Sequence, residues 1–101
     1  MRRLVFADAA LDDLKDIAQF TEARWGADQK RRYLSSIDTM VRRVRDNPKL
    51  GRNRQDVHPG YHGVLVGRHV IFYRFTDDEC EIVRIIHDRM DVHRLLNDEP
   101  K

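Results

Sequence analysis

"CEIVRIIHDRMDVHRLL", residues 80–96, is the most informative segment of the chain for its fold, because a β-branched run passes directly into a polar turn. Its first eight residues predict a strand, since valine and isoleucine favour a pleated, half-buried backbone. Strict alternation would place Ile82 and Ile86 on one face of a sheet and Val83 and Ile85 on the other. Both faces of this strand are therefore expected to be substantially apolar.

Two more strand patterns precede this one. "HVIFYRF", residues 69–75, again has two apolar faces. One face carries Ile71, Tyr73 and Phe75, and the other carries Val70 and Phe72. "YHGVLV", residues 61–66, is joined to it by Gly67 and Arg68, and glycine first in a two-residue turn is typical of a type II′ hairpin. The three patterns together predict a three-stranded antiparallel meander.

The first half of the chain predicts one strand and two helices. "RRLVF", residues 2–6, is a short β-rich run. Asp8 is the expected N-cap of a helix that ends at Gly26, where glycine adopts a positive φ at little cost. A second amphipathic helix starts at once and ends before Pro48. Two helices joined at one glycine predict an antiparallel hairpin.

These elements define an α+β fold class: a strand, an antiparallel two-helix hairpin, a three-stranded antiparallel meander and a short C-terminal helical turn. We expect residues 1–101 to form one domain, given the length of the chain. One helical hairpin covers only one face of a sheet. Because both faces are apolar, we expect the other face to be covered by the chain ends, a dimer mate or a separate partner.

The charge of the chain is concentrated in its middle. The net charge is +2, but residues 29–74 carry 11 basic and 3 acidic side chains, and arginine outnumbers lysine 15 to 4. This distribution fits either a solvated surface or a docking surface for an acidic partner or nucleic acid. The single cysteine, Cys80, excludes an internal disulfide, and neither an export signal nor a membrane span is recognisable. We expect a cytoplasmic protein.

The polar end of the last strand has several possible chemistries. We expect no metal, because His87 and Asp91 lack a third convergent ligand, and we expect no cofactor, since no glycine-rich phosphate loop is present. RNA cleavage needs only an acid or base beside cations. His87 with Arg84 and Arg74 would meet that need, although both arginines would equally serve as partners of acids. Asp91 would equally be the N-cap of the last helix.

Four stretches resemble the ParE branch of the RelE/ParE toxin superfamily. They are "ALDDLKDIAQFTEARWG", "NPKLGR", "VIFYRF" and, most specifically, "VRIIHDRMDVHRLL". The resemblance implies a small α+β toxin that inhibits DNA gyrase, is not a hydrolase, and is neutralised by the tail of a ParD-like antitoxin, in a complex that can be a higher-order hetero-oligomer. RelE-type relatives instead cut messenger RNA in the ribosome. No tyrosine follows Tyr73 here, which departs from the nuclease pattern, but His87 keeps that alternative open, as does a non-toxic interaction module.

The resemblance also implies two sets of contact residues. The antitoxin tail would bury apolar anchors and pair its acids with arginines, and the target would meet the C-terminal segment. The antitoxin-binding candidates are Trp25, Tyr33, Ile71, Tyr73, Arg52, Arg54, Arg68 and Arg74. The target-binding candidates are His87, Arg89, Met90, Asp91 and His93. For Trp25 and Tyr33, a position in the core is the stronger expectation. Ile71 and Tyr73 could equally be core residues, and Arg68 is expected to be exposed.

Overall fold

The computed structural model describes residues 1–97 and has the expected α+β architecture. Three helices, one 3₁₀ turn and five strands follow in chain order. They are β1 (Arg3–Phe6), α1 (Asp8–Trp25), α2 (Ala27–Asp46), the 3₁₀ turn (Pro48–Leu50), β2 (Arg52–Asn53), β3 (His62–Val66), β4 (His69–Phe75), β5 (Glu79–His87) and α3 (Val92–Asn97). The predicted helical hairpin, meander and C-terminal helical turn are confirmed. Among these residues, no helix is long and apolar enough to cross a membrane.

The five strands form one sheet in the order β1-β5-β4-β3-β2. The β3–β4–β5 meander and the short β2 pair antiparallel, whereas β1 lies parallel to β5. A parallel pair requires a crossover connection, and the helical hairpin between β1 and the meander contributes to it. β1 is therefore an edge strand of the sheet, next to β5, and the sequence had left this strand order undecided.

The main core lies between the sheet and the helical hairpin. It buries aliphatic side chains of both helices against β4 and β5, with Ile37, Val41, Ile71 and Ile82 at 2% exposure or less. Gly26 joins the helices at a φ of 92°, which side-chain-bearing residues rarely adopt. The expected N-cap at Asp8 is wrong, because Ala7 takes that position and Asp8 lies in the first turn. There its charge faces the positive end of the helix.

A β-bulge in β5 changes which side chains share a face. Phe72 pairs with Arg84 and Tyr73 with Ile82, so Val83 is an extra residue on β5. The extra residue reverses the alternation beyond it. Ile85 consequently joins Ile82 in the main core, while Ile86 faces the opposite side. The prediction that Ile82 and Ile86 share a face is wrong for this reason.

The second face of the sheet is covered by the chain itself. Phe72 and Ile86 pack there with Val57 of the loop between β2 and β3, and all three are at most 3% exposed. Val92 and Leu96 of α3 complete this small core. The chain end, one of the three expected coverings, supplies part of these contacts, and the loop between β2 and β3 supplies the rest. A foreign polypeptide is not needed to seal this face, which corrects the view that the sheet by itself requires a partner.

Candidate interaction surfaces

An apolar groove of ≈320 Å³ lies between α1 and α2, beside the end of β1. We call it the hairpin groove; it is lined by Phe6, Leu14, Lys15, Ala18, Leu34, Ile37, Asp38 and Val41. Leu11 and Trp25 fall on the same flank of α1 as Leu14 and Ala18, since they are spaced by three, four and seven residues. Leu11 is 44% and Trp25 64% exposed. The groove therefore continues into exposed apolar surface at both ends of α1.

Trp25 lies outside the core, so the expectation of a core position is wrong. Trp25 is the last residue of α1, and the guanidinium of Arg24 lies over its ring, 5.6 Å from the ring centroid. Trp25 lies on the flank of Leu14 and Ala18 by helical spacing, but its ring is exposed to solvent. An exposed tryptophan beside an apolar groove is a candidate partner contact.

Tyr33 is half-buried and supports the hairpin between β3 and β4. Its hydroxyl lies 2.6 Å from Nδ1 of His69 and accepts the backbone N–H of Arg68 at 3.1 Å. Burial raises the pKa of Tyr33. The ring packs so closely on Gly67 that a Cβ there would lie 2.6 Å from it. Gly67 has a φ of 55° and Arg68 does not have a positive φ, which fits the expected type II′ turn.

Ile71 and Tyr73 are 0% exposed, so the prediction that they contact an antitoxin is wrong for this surface. The alternation in β4 directs both side chains toward the helices. The Tyr73 hydroxyl donates to the carbonyl of Pro48 at 2.6 Å and accepts the N–H of Gly51 at 3.0 Å. Burial raises the pKa of Tyr73. Its role is to hold the segment after α2 onto the sheet.

Three of the four candidate arginines are already engaged with acids. Arg54 donates twice to the Asp56 carboxylate, at 3.0 and 3.1 Å, while its guanidinium lies over the ring of Phe72. Arg74 donates to Glu81 at 2.6 Å, and Arg68, exposed as expected, lies 3.7 Å from Asp88. Arg52 is exposed and has no ion pair within residues 1–97. These pairs are largely at the surface, where exchange for a partner's carboxylate costs little.

A second, larger recess of ≈540 Å³ lies on the opposite flank of α1. We call it the terminal cleft, because it is bounded by α1, the end of β5 and the C-terminal segment. Phe20, Met90 and Leu95 contribute its exposed apolar surface, at 64%, 55% and 44% exposure. His69 and His87 line it as well. Three exposed apolar side chains from separate elements thus converge on one recess.

The floor of the terminal cleft is built around Asp13. Its carboxylate accepts two hydrogen bonds from Arg84, at 2.8 and 3.0 Å, and one from the backbone N–H of Ile85, at 2.8 Å. That N–H lies on β5 beyond Ile82, where the β1 ladder has ended. The ion pair raises the pKa of Arg84. Asp13 therefore closes the free edge of β5 and neutralises the arginine beside it.

The three residues of the nuclease alternative do not converge. Arg84 and His87 line the terminal cleft, but Arg74 is paired with Glu81 and does not line it. His87 lies opposite His69 on the neighbouring strand, with ring centroids 5.4 Å apart, and accepts the N–H of Arg89. Burial, followed by the nearby His87, lowers the pKa of His69. Within the described part of the chain, no three His, Cys, Asp or Glu side chains form a metal-binding group.

Two of the target-binding candidates anchor α3. The Asp91 carboxylate accepts the N–H of Arg94 at 3.2 Å, which is the N-cap arrangement weighed from the sequence. Nε2 of His93 lies 2.9 Å from the Asp56 carboxylate, which Arg54 also contacts. Hydrogen bonding from Arg54 lowers the pKa of Asp56 to about 2. Asp91 and His93 thus have architectural contacts, whereas Met90 and Arg89 are exposed beside the cleft.

Two members of the terminal cleft were missed by sequence reasoning. Phe20 lies on α1 about half a turn from the Leu11–Leu14 flank, and that off-stripe position was a signal for a second exposed surface. Leu95 follows the N-cap by four residues and looks like a core residue of α3. Its 44% exposure depends on how α3 sits on the sheet, which its six residues do not specify.

Comparison with solved structures defines the class of the fold. A chromosomal ParDE TA system from P. aeruginosa matches with a TM-score of 0.75 at 20% identity, over 86% of this chain and 96% of that chain. The E. coli DinJ-YafQ complex matches with a TM-score of 0.56 at 16% identity, over 86% of this chain and 93% of that chain. The fold is therefore that of chains found in toxin–antitoxin complexes.

Sequence comparison then gives the family. A family model described as the ParE toxin of the type II toxin–antitoxin system parDE matches residues 4–92. Toxin ParE1 of Mycobacterium tuberculosis is 38% identical over 95 residues, which is 93% of this chain and 97% of that protein. Toxin ParE1 of Caulobacter vibrioides is 32% identical over 84 residues, 83% and 86% respectively. The chain belongs to the ParE toxin family, the toxin component of type II toxin–antitoxin systems, as the resemblance implied.

Proposed function

We propose that this toxin inhibits DNA gyrase, blocks replication in the cytoplasm and is neutralised by a ParD-like antitoxin. The observation that carries the proposal is the family match over residues 4–92 combined with the terminal cleft, an exposed apolar recess without a catalytic constellation. A toxin that acts by binding needs a complementary surface, not a reactive centre. The cleft offers such a surface in Phe20, Met90 and Leu95.

We propose further that the protein is not a nuclease. A phosphate-cleaving site needs cations free to stabilise the charge that develops on the phosphate. Arg84 donates both of its bonds to Asp13, and Arg74 donates to Glu81. If the Asp13 carboxylate moved away from Arg84, the backbone N–H of Ile85 would also lose its acceptor, and the edge of β5 would be left unpaired there. The arginines of the nuclease alternative are thus engaged by the architecture of the fold.

For the antitoxin, we propose the hairpin groove as the binding surface. Its lining is almost wholly apolar, with Lys15 and Asp38 at the rim, and Trp25 extends it. A peptide helix with spaced aliphatic anchors is the usual occupant of such a groove between two helices. Arg52, Arg54, Arg68 and Arg74 would then meet acids of the same tail, each at the cost of at most a surface ion pair. Further toxin and antitoxin chains would extend this complex into a hetero-oligomer.

For gyrase, we propose contacts from the terminal cleft and the segment His87–Met90. Purified toxin should inhibit gyrase supercoiling or promote gyrase-dependent DNA cleavage. The Met90→Asp variant should weaken that effect by roughly tenfold or more, since a charge replaces a central apolar contact. The matched control is Leu11→Asp, another exposed apolar position, on the other flank of α1. The absence of any effect of the wild-type toxin on gyrase would refute the proposal.

The nuclease alternative has its own readout. Mapping messenger RNA breaks after expression of the toxin should show no ribosome-dependent cleavage. If cleavage occurs and His87→Ala abolishes it, the toxin is a RelE-type enzyme. If cleavage occurs and His87→Ala leaves it intact, another residue acts as the acid or base.

A further inference from the structure

The arginines of α2 fall into two groups with different environments. Three of them are neutralised by acids on the same helix. They are Arg31 with Asp28, Arg42 with Asp38 at 3.0 Å, and Arg45 with Asp46 at 3.0 Å. Arg32 and Arg43 are exposed and have no ion pair among residues 1–97. Their uncompensated charge is therefore the feature of α2 that the helix itself does not explain.

Arg32 and Arg43 lie on one line along α2. Eleven residues correspond to just over three complete turns, so both side chains leave the helix in nearly the same direction. Ser36 and Thr39, which are small and exposed, lie between them on that line. We call Arg32 and Arg43 the arginine stripe.

The stripe faces away from the hairpin groove. Leu34, Ile37, Asp38 and Val41 are the α2 residues of that groove, and Arg42 beside Asp38 belongs to the same flank. Arg32 and Arg43 lie on the side of α2 opposite Leu34 and Val41, roughly 80–100° around the helix axis from Arg42. An antitoxin helix in the hairpin groove would leave the stripe accessible.

We infer that the arginine stripe binds the phosphate backbone of duplex DNA, which places the toxin against the DNA held by its target. The span from Arg32 to Arg43 is roughly 16 Å, a distance over which B-DNA presents roughly ten phosphate charges. Arginines and lysines supply the common phosphate contacts of DNA-binding proteins. The inference deepens the proposed action on gyrase, because that enzyme works on DNA.

The chemistry of the stripe favours nucleic acid over an acidic peptide. A peptide interface derives its affinity from buried apolar anchors surrounded by polar contacts. No residue of α2 is among the exposed large apolar side chains of the described chain, which lie instead on α1, β3, the 3₁₀ turn and the termini. A line of unpaired cations without apolar neighbours suits a polyanion that binds through charge alone.

The test is the binding of the full-length toxin to a labelled 30-base-pair duplex of mixed sequence, followed by fluorescence anisotropy between 25 and 200 mM KCl without gyrase. The double variant R32Q/R43Q should bind at least roughly tenfold more weakly at 50 mM salt. It should also reduce the slope of log K against log salt by about 1.8, the value for two lost phosphate contacts. Both residues are exposed, so thermal unfolding should not change.

The matched control is R31Q/R42Q, which removes the same two charges from the same helix but from arginines paired with acids. It should leave the salt slope unchanged. An equal loss in both variants, or no duplex binding by the wild-type toxin at 25 mM salt, would overturn the inference. So would polyglutamate that binds the stripe as tightly as DNA, because the surface would then serve an acidic polypeptide.

The two proposals fail separately. Duplex binding through the stripe by a toxin that leaves gyrase unaffected would refute the gyrase proposal and retain the inference. If the wild-type toxin does not bind the duplex and R32Q/R43Q inhibits gyrase as strongly as the wild type, the inference is refuted and the gyrase proposal is retained.

Discussion

The hydroxyl groups of two tyrosines, and a glycine that packs on one of their rings, hold the turns of this toxin in place. Tyr73 and Tyr33 both appeared in the sequence as candidate partner contacts, yet each directs its hydroxyl to the backbone of a turn. An aromatic residue on a strand with two apolar faces has two possible environments, and its sequence context is the same in both. Hydrogen bonds to residues 22 to 35 positions away in the chain decide between them, and only the folded chain brings those partners together.

The Tyr73→Phe variant should lower the free energy of unfolding by about 1–3 kcal/mol, because the carbonyl of Pro48 and the N–H of Gly51 lose their partner in a buried place. Urea unfolding measures the change. Tyr33→Phe is the control, since its hydroxyl is only partly buried and should matter less. A larger loss in Tyr33→Phe than in Tyr73→Phe would contradict the assigned role.

The Gly67→Ala variant should destabilise the toxin more than Gly60→Ala. Both glycines have a positive φ, at 55° and 84°, so both substitutions carry backbone strain of about 1 kcal/mol. Only at Gly67 would the new Cβ meet the Tyr33 ring, whereas Gly60 has nothing within 4 Å. Thermal unfolding of the two variants compares strain alone with strain plus steric conflict. Equal melting temperatures would show that Tyr33 moves aside freely.

At the scale of elements, α3 is the least secured part of the described fold. It has six residues, which is too short for a helix to be stable in isolation, so it depends on tertiary contacts. Val92 and Leu96 pack on the second core, and His93 meets Asp56, which Arg54 fixes in place. The sequence predicted the helical turn, with an N-cap at Asp91 as one of two interpretations of that residue. It named the chain ends among three possible coverings of the second face, and the structure shows that α3 contributes to this covering. The sequence could not predict that Ile86 faces that side, because the β5 bulge decides it.

We call the contact between His93 and the Asp56 carboxylate the tether of α3, and we expect it to weaken as the pH falls. The pKa of Asp56 in the folded toxin, about 2, lies below its ordinary value of 3.8. The carboxylate therefore contributes stability above about pH 4, and this contribution is lost as the pH falls toward 2. NMR resonances of Val92 and Leu96 should shift over that interval before the resonances of β4 do. Simultaneous shifts would show that the whole fold responds, not the tether.

Neutralising Asp56 tests the same contact at neutral pH. Asp56→Asn should increase the hydrogen-exchange rates of α3 amides and leave those of β4 unchanged, since local openings need not involve the whole fold. Asp46→Asn is a suitable control, because Asp46 is also exposed and paired with an arginine, Arg45, but at the end of α2. Unchanged exchange in α3 would show that Val92 and Leu96 suffice to hold it.

At the scale of the whole molecule, α1 separates two exposed apolar surfaces. The hairpin groove lies on the flank of Leu14 and Ala18, and the terminal cleft on the flank of Ile17 and Phe20. The arginine stripe lies on a third surface, beyond α2. A small toxin can therefore present different surfaces to an antitoxin, a protein target and nucleic acid.

If the surfaces act separately, variants on each should have separate effects. Trp25→Ala should weaken the antitoxin complex, with a loss of roughly tenfold or more in affinity, and leave the effect on gyrase near that of the wild type. Phe20→Ala should weaken the gyrase effect and leave antitoxin affinity nearly unchanged. Isothermal titration and a supercoiling assay measure the two properties. If each variant impairs both antitoxin binding and gyrase inhibition, the antitoxin and the target share one surface.

The α+β class, the helical hairpin at Gly26, the meander and the family could all be inferred from the amino-acid sequence, because local periodicity, turn chemistry and short motifs carry that information. The tertiary structure decided the place of β1 beside β5, the reversal of faces at Val83, the burial of Tyr73 and the exposure of Trp25. Each of these depends on contacts between residues far apart in the chain, and an extra residue in one strand changes which side chains meet without leaving a local signal.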